Sequence, residues 1–293
     1  MKKYSFLMFL LCRLNLNKLA WAIRRYYLPV SSEDLVLEVG SGGNPYPRAN
    51  VLLDAYEETS HRFWAPLICD RPTVIGFAEN LPFKDNVFDF VICAHVLEHS
   101  EEPVKFLEEL QRVSKAGYIE VPDAFMERLN PYKDHKSEIT CREDQLVIRK
   151  KHSWKPYSEV VELYEHNVKP LMTQKVIPSN PFPFHVRYYW KDKISFSVIN
   201  PEVDSSWKSP NSDKDTNNYK PASSIREKLQ KIIRFFFSQR NRNKSIDLRS
   251  LLRCTVCGGA DFSQKESVLH CEKCTANFPY RKNGIIMSDV NNS

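Results

Sequence analysis

Residues Leu35–Gly43 read LVLEVGSGG. Asp34–Val39 is a nearly continuous apolar run, the pattern of a buried parallel strand. It runs straight into three glycines. A glycine-rich turn at the carboxyl end of such a strand lets a ligand approach the backbone closely. Glycine is scarce here, with eight in 293 residues, and five of them fall at Gly40/Gly42/Gly43 and Gly258/Gly259. Backbone geometry is therefore under demand at two places. Outward from the turn, Val51–Asp54, Thr73–Ala78, Phe88–Cys93 and Gly117–Val121 repeat the strand pattern. Between the last two, Val104, Leu107, Leu110 and Val113 recur at helical spacing. Strands alternating with a helix predict an α/β fold with a parallel sheet. Residues 125–200 carry weaker signals: a helix at Ser158–Glu165 and a strand-like pair at His185–Tyr189 and Lys193–Ile199.

The turn also limits the ligand. A dinucleotide fold wants three glycines opening a helix whose N-terminus holds a pyrophosphate. Here the third glycine position is Pro45, Pro47 follows, and little room is left before Asp54. S-adenosylmethionine has no phosphate, and a turn, an acid and apolar walls suffice for it. Asp54, ending the second strand, is placed to accept from ribose hydroxyls.

The ordered set LVLEVGSGG, VLLD, GFAENLPFKDNVFDFVICAHVLEH and GYIEVP, over roughly residues 34–123, resembles a class I S-adenosylmethionine-dependent methyltransferase of the ubiquinone/menaquinone-biosynthesis type. The resemblance implies a Rossmann-like sheet. It also implies that Glu38, Gly40 and Gly42 line the methionine end of the cofactor, Asp54 the ribose, and Ala78 and Glu79 the adenine side. His95 would stand beside the methyl group as a catalytic candidate. Phe77 occupies the position where the family often has an acid for the adenine amino group. The stretch GSGGNPYPRA is similar to a variant loosely associated with methyltransferases of bacterial surface-glycan pathways. The polar cluster His95/Glu98/His99 reads equally as a helix start without chemistry. Asp123 and His135 sit where substrate loops usually lie.

Cys254-x2-Cys257-x13-Cys271-x2-Cys274 has the spacing of a structural zinc site, four thiolates closing the coordination shell. A module of this size cannot bury a sufficient core alone, so metal would supply its folding energy. LLRCTVCGGADF and LHCEKCTANFPYRKNGII are similar to the small zinc-ribbon activator subunit of tRNA and protein methyltransferases. That implies a stabilising or partner-docking role.

The net charge of +6 is unevenly spread: +6 over residues 1–32, −8 over 33–207 and +8 over 208–253. Two basic, amphipathic arms flank an acidic middle. The expected organisation is an N-terminal basic amphipathic helix (1–30), a methyltransferase domain (31–200), a linker (201–223), a basic amphipathic helix (224–244) and a zinc ribbon (251–288). The first helix spans residues 4–28 and ends at Pro29. The second places Ile225, Leu229, Ile232, Ile233, Phe236 and Phe237 on one side, for an anionic membrane surface or for the protein's own core. The neutral ribbon and acidic middle argue against nucleic acid. No apolar run approaches 18 residues, and four of the eight cysteines are scattered, so a cytoplasmic protein, peripheral to the inner face of a membrane, is expected. The expected activity is methyl transfer, by O-methylation, to a small-molecule, glycan or lipid-linked acceptor. The rival readings are an RNA methyltransferase and a non-catalytic scaffold that binds partners through its ribbon.

Overall fold

The computed structural model describes residues 5–57, 65–129, 131–154, 158–208 and 224–288. Lys2, Lys3 and most of the expected linker, 209–223, lie outside them. The strands are, in chain order, β1 (Val36–Val39), β2 (Val51–Asp54), β3 (Thr73–Ile75), β4 (Phe90–Ala94), β5 (Ala116–Pro122), β6 (Ser137–Arg142), β7 (Gln145–Lys150), β8 (His185–Lys191), β9 (Phe196–Val198), β10 (Phe262–Lys265), β11 (Val268–Cys271), β12 (Asn277–Arg281) and β13 (Gly284–Ile286). They belong to two compact units. One comprises Val30–Ile92, Lys105–Gly117 and Asp213–Ser293; the other comprises Met1–Pro29, Cys93–Val104 and Tyr118–Ser212. The division cuts through β4 and β5.

In the first unit β1, β2 and β3 are parallel, with Leu37 opposite Val51 and Leu53 opposite Val74. Every residue of these three strands is buried. Burial on both faces explains their unbroken apolar sequences. The helix Pro103–Val113 buries Phe106, Leu107, Leu110 and Val113. Together these elements form the Rossmann-like α/β fold.

The C-terminal module is joined to this sheet. β10, β11 and β12 form an antiparallel meander that continues through β13, and β13 pairs in parallel with β3, Ile285 opposite Val74. The sheet order is β10-β11-β12-β13-β3-β2-β1. Gly284 is what permits the junction. Its φ is +138°, and a Cβ there would stand 2.3 Å from the Thr73 carbonyl oxygen. The strands β1–β3 and the Cys module are thus one packed unit, although the chain leaves and re-enters it.

The helix Ser224–Phe237 belongs to the same unit, but the expected span to residue 244 is interrupted. Gln239 has a φ of +19°, and a second helix, Arg240–Lys244, follows. That second helix is anchored by polar contacts. Asn50 Nδ2 donates to Asn243 Oδ1 at 2.8 Å and to Gln239 Oε1 at 3.0 Å. Arg242 Nη1 donates to the carbonyls of Ser32 and Asp34. Arg242 therefore caps the entry to β1 and offers little to a membrane.

The second unit opens with two helices, Phe6–Arg13 and Asn17–Ile23, where the sequence suggested one. Asn15 breaks the run with a φ of +56°, a conformation asparagine tolerates better than most residues. The hairpin β6–β7 turns on Glu143 and Asp144, both at positive φ, and β9 pairs in parallel with β7. β8 instead lies beside β5. The strand-like pair expected at 185–199 is therefore split between two sheets.

Candidate functional site

The glycine loop is held by the two acids at its flanking strand ends. Gly40 and Gly42 have φ of +74° and +56°. The N–H groups of Gly40 and Ser41 both donate to the Leu53 carbonyl. Asp54 Oδ2 accepts from Gly42 N–H at 2.8 Å, and Oδ1 accepts from Tyr56 N–H at 3.3 Å. Glu38 Oε2 accepts from Tyr46 N–H at 2.7 Å and so fixes the outgoing limb. Both acids are buried. No helix forms between β1 and β2, as Pro45 and Pro47 suggested. Arg71 locks the same limb through the carbonyls of Tyr46, Pro47 and Ala49. Its role was not legible, since an arginine 22 to 25 residues from its partners leaves no spacing signal.

Beyond β3, Ala78–Asn80 is a single 3-10 turn with Ala78 buried and Glu79 half-buried. Phe77 precedes it and meets Tyr56 edge to face, ring centroids 5.8 Å apart, both rings partly exposed. The Cys module grips this loop. Asn80 Nδ2 donates to the Thr255 carbonyl at 3.1 Å, Lys84 N–H to Leu251 at 2.9 Å, and Arg253 N–H to Pro82 at 3.1 Å. Phe83 and Leu252, both fully buried, form a bridge.

The four cysteines converge. Cys254 and Cys274 Sγ are 3.6 Å apart, as are Cys257 and Cys271. A disulfide needs ~2.05 Å, while a tetrahedral tetrathiolate with ~2.3 Å metal–sulfur bonds has edges of ~3.8 Å. The separations fit the second. Gly259 N–H donates to Cys257 Sγ, and a Cβ on Gly259 would lie 3.2 Å from that sulfur. The donor set suits a structural zinc ion.

In the second unit, His95 has a φ of +59° and donates its N–H to the Glu120 carbonyl at 2.7 Å. Its Nδ1 faces Glu98 Oε1 at 3.4 Å and its Nε2 faces Glu120 Oε1 at 3.2 Å. Burial pulls the imidazole pKa down, but the Glu120 and Glu98 carboxylates beside it outweigh that and push it up to about 10. With both nitrogens turned to carboxylates, His95 presents no lone pair to a substrate proton. The geometry suits a hydrogen-bond donor better than a general base.

Glu120, fully buried, is the hub. Arg24 binds it bidentately, Nε at 2.8 Å and Nη2 at 2.6 Å, and the Tyr118 hydroxyl also donates to it. Burial would raise the Glu120 carboxyl, but Arg24 and His95 hold it well below the ordinary carboxylate range. Arg187 adds to the positive surroundings through Tyr118. A single acid within an otherwise apolar strand, GYIEV, was the available signal. A group with depressed folded pKa stabilises above its unfolded value, ~4.3 for Glu, and loses that contribution as pH falls through the folded pKa. Glu120→Gln should thus cost about 3 kcal/mol at neutral pH. It should also flatten the fall in urea midpoint below pH ~5; an unchanged slope would remove Glu120 from the acid response.

A cavity of about 440 Å³ is lined by Asp123, Glu143, Asp144, Phe182, His185 and Arg187, among others. Asp123 caps the helix Ala124–Leu129 through Phe125 N–H and accepts from Thr140 Oγ1 at 2.7 Å. His135 is elsewhere, buried against Glu127 at 2.6 Å.

The first unit thus combines a parallel α/β sheet with a glycine loop braced by Glu38 and Asp54 and with no helix following it. Residues 38–119 match a family described as a methyltransferase domain. The chain is similar to that family over this segment. It is 40% identical over 71 residues to an uncharacterized protein of Methanocaldococcus jannaschii, covering 22% of this chain and 35% of that one. The chain spans about a third of that relative's length. Two solved structures are similar. One is a complex containing the Haloferax volcanii Trm112 methyltransferase activator (22% identity, 36% of this chain and 59% of that chain, TM-score 0.27). The other is a Thermotoga maritima S-adenosylmethionine-dependent methyltransferase (20% identity, 53% and 72%, TM-score 0.32).

Proposed function

We propose that the protein transfers a methyl group from S-adenosylmethionine to an oxygen of a small-molecule, glycan or lipid-linked acceptor. The observation that carries this reading is the loop Gly40–Gly43, knitted by Glu38 and Asp54 without a following helix. Glu38, Gly40 and Gly42 would hold the methionine end of the cofactor and Asp54 the ribose. Ala78 and Glu79 would face the adenine, with Phe77 offering a ring face in place of the missing acid. The bound cofactor supplies a methyl group activated on a sulfonium. The chain's own contribution is alignment and exclusion of water, which lower the barrier, and the acceptor hydroxyl gives up its proton as its oxygen is methylated. The cysteine module would hold zinc and fix the Ala78–Asp85 loop. Calorimetry with S-adenosylmethionine, its demethylated product and NAD tests this. Tight binding of the first two is expected, and binding of NAD alone would sink the reading.

We also propose that an anionic bilayer is the partner of the helix Ser224–Phe237. Leu229, Ile232 and Phe236, on one side of it, are each more than half exposed, while Ile233 is half-buried, so much of the described apolar face stays uncovered. Lys228 and Lys231 are exposed beside them. No helix among the described residues is long and apolar enough to cross a membrane. Phosphatidylserine vesicles should float the protein, and Leu229→Ser/Ile232→Ser/Phe236→Ser should reduce the floated fraction at least tenfold. Equal flotation of the triple variant would exclude this helix as the anchor.

A further inference from the structure

We propose that Glu98, His99 and His135 form a second metal site, separate from the four cysteines, for a divalent transition ion such as zinc, iron(II) or cobalt(II). A ligand atom from each of the three lies within 4.8 Å of the others. The site is assembled from the 3-10 turn Leu97–His99 and the loop leading into β6, which are tied by the Lys136 N–H to Glu98 carbonyl bond at 2.7 Å.

Three features separate this cluster from an ordinary polar patch. First, Glu98 is 2% exposed, yet neither carboxylate oxygen has a hydrogen-bond partner. His95 Nδ1, 3.4 Å from Oε1, stands within ion-pair reach but misses hydrogen-bond geometry. One long ion pair leaves most of the acceptor capacity of this buried carboxylate unused, and buried polar atoms are otherwise hydrogen-bonded or bound to metal. Second, each histidine already has its Nδ1 engaged. His135 Nδ1 meets Glu127 Oε2 at 2.6 Å, and His99 Nδ1 lies 3.4 Å from Asp134 Oδ2. With Nδ1 so used, Nε2 would be the ligand atom of each ring, the tautomer that carboxylate-backed metal histidines adopt. Third, the backing group is itself fixed. Glu127 is buried, and its Oε1 accepts from Lys151 Nζ at 2.6 Å. The rings of His99 and His135 stand edge to face at 4.7 Å, and Tyr132 stacks on His135.

Two imidazoles and one carboxylate select borderline transition ions over calcium or magnesium, and three protein donors leave coordination positions open. His99 is partly exposed, so the open positions face solvent. An ion there would accept an oxygen or nitrogen ligand from outside, unlike a closed tetrathiolate site.

The test uses the full chain, stripped of metal and dialysed against cobalt(II). Wild type should hold two equivalents, one of them giving intense thiolate-to-metal absorption. Glu98→Gln and His135→Gln should each lose one equivalent and keep the thiolate bands, which report that the rest of the chain is folded. In wild type, the equivalent without thiolate absorption should bring out two paramagnetically shifted, exchangeable Nδ1–H proton resonances. Full metal retention in both variants would overturn the proposal, as would wild-type protein with no equivalent beyond the thiolate site. Absence of the shifted Nδ1–H resonances would overturn it even if the variants failed to fold.

Discussion

Cys271→Ser should abolish zinc retention at the four-cysteine site and lower the thermal transition of the first unit by more than 10 °C, with loss of cofactor binding. Structural zinc contributes on the order of 10 kcal/mol of apparent folding energy to small tetrathiolate modules, comparable with the whole stability of a domain. Cys271 is buried and ends β11, and its N–H donates to the Ala276 carbonyl, so the thiolate and the strand end are lost together. The effect should not stop at the module. β13 covers the edge of β3, and Met287 and Ser288 N–H both donate to the Ile75 carbonyl. Unfolding the module exposes that edge and releases the Ala78–Asp85 loop from Leu251, Arg253 and Thr255. Gly284→Val supplies the control. It leaves the thiolates untouched but places a side chain 2.3 Å from the Thr73 carbonyl oxygen. Cofactor affinity should fall in that variant while the four thiolates keep their zinc. Normal cofactor affinity in metal-free Cys271→Ser would show that the module does not support the cofactor loop. Scanning calorimetry with zinc analysis reads both variants.

The sheet was legible because its strands are buried on both faces and so read as apolar runs bounded by turns. The cysteine cluster was legible because two knuckles announce their spacing. Other features were written in no local signal. The hairpin β6–β7, SEITCR and QLVIRK, mixes charge with apolar residues, and its turn uses Glu143 and Asp144 at positive φ, where glycine or asparagine would have marked it. The joining of β13 to β3 is a long-range pairing on which periodicity is silent. Glu120 and Glu127 carry no spacing signal, and their partners, Arg24 and Lys151, lie 96 and 24 residues away. The basic arm at 224–244 read as one amphipathic helix because period alone cannot see the break at Gln239 or that Arg242 is used on backbone carbonyls. What separated the legible from the hidden was sequence distance: features set by neighbouring residues could be read, and those set by distant partners could not.

Asp54→Ala should weaken S-adenosylmethionine binding by at least 100-fold, about 2.7 kcal/mol, with the fold retained. Asp54 has two tasks under the reading proposed above. Its carboxylate already accepts from Gly42 and Tyr56 N–H, so it sets the conformation of the loop before any ligand arrives. Removing it leaves the Gly42 N–H without its acceptor, at a cost of ~1–3 kcal/mol where water cannot replace it. The loop then has to be ordered by the ligand itself, which reduces affinity. The second loss is direct: a ribose hydroxyl donating to an ionised carboxylate is worth ~1.5–3 kcal/mol. Asp54→Asn separates the two tasks. The amide oxygen can still accept from Gly42, so the loop should hold, but the charge is gone and affinity should fall by an intermediate factor of about 10. The demethylated product shares the ribose and should lose affinity in parallel with the methyl donor. Equal affinity in wild type and Asp54→Ala would remove Asp54 from the cofactor site and leave it a loop brace. A loss confined to the alanine variant, with asparagine at wild-type affinity, would assign the whole effect to loop geometry.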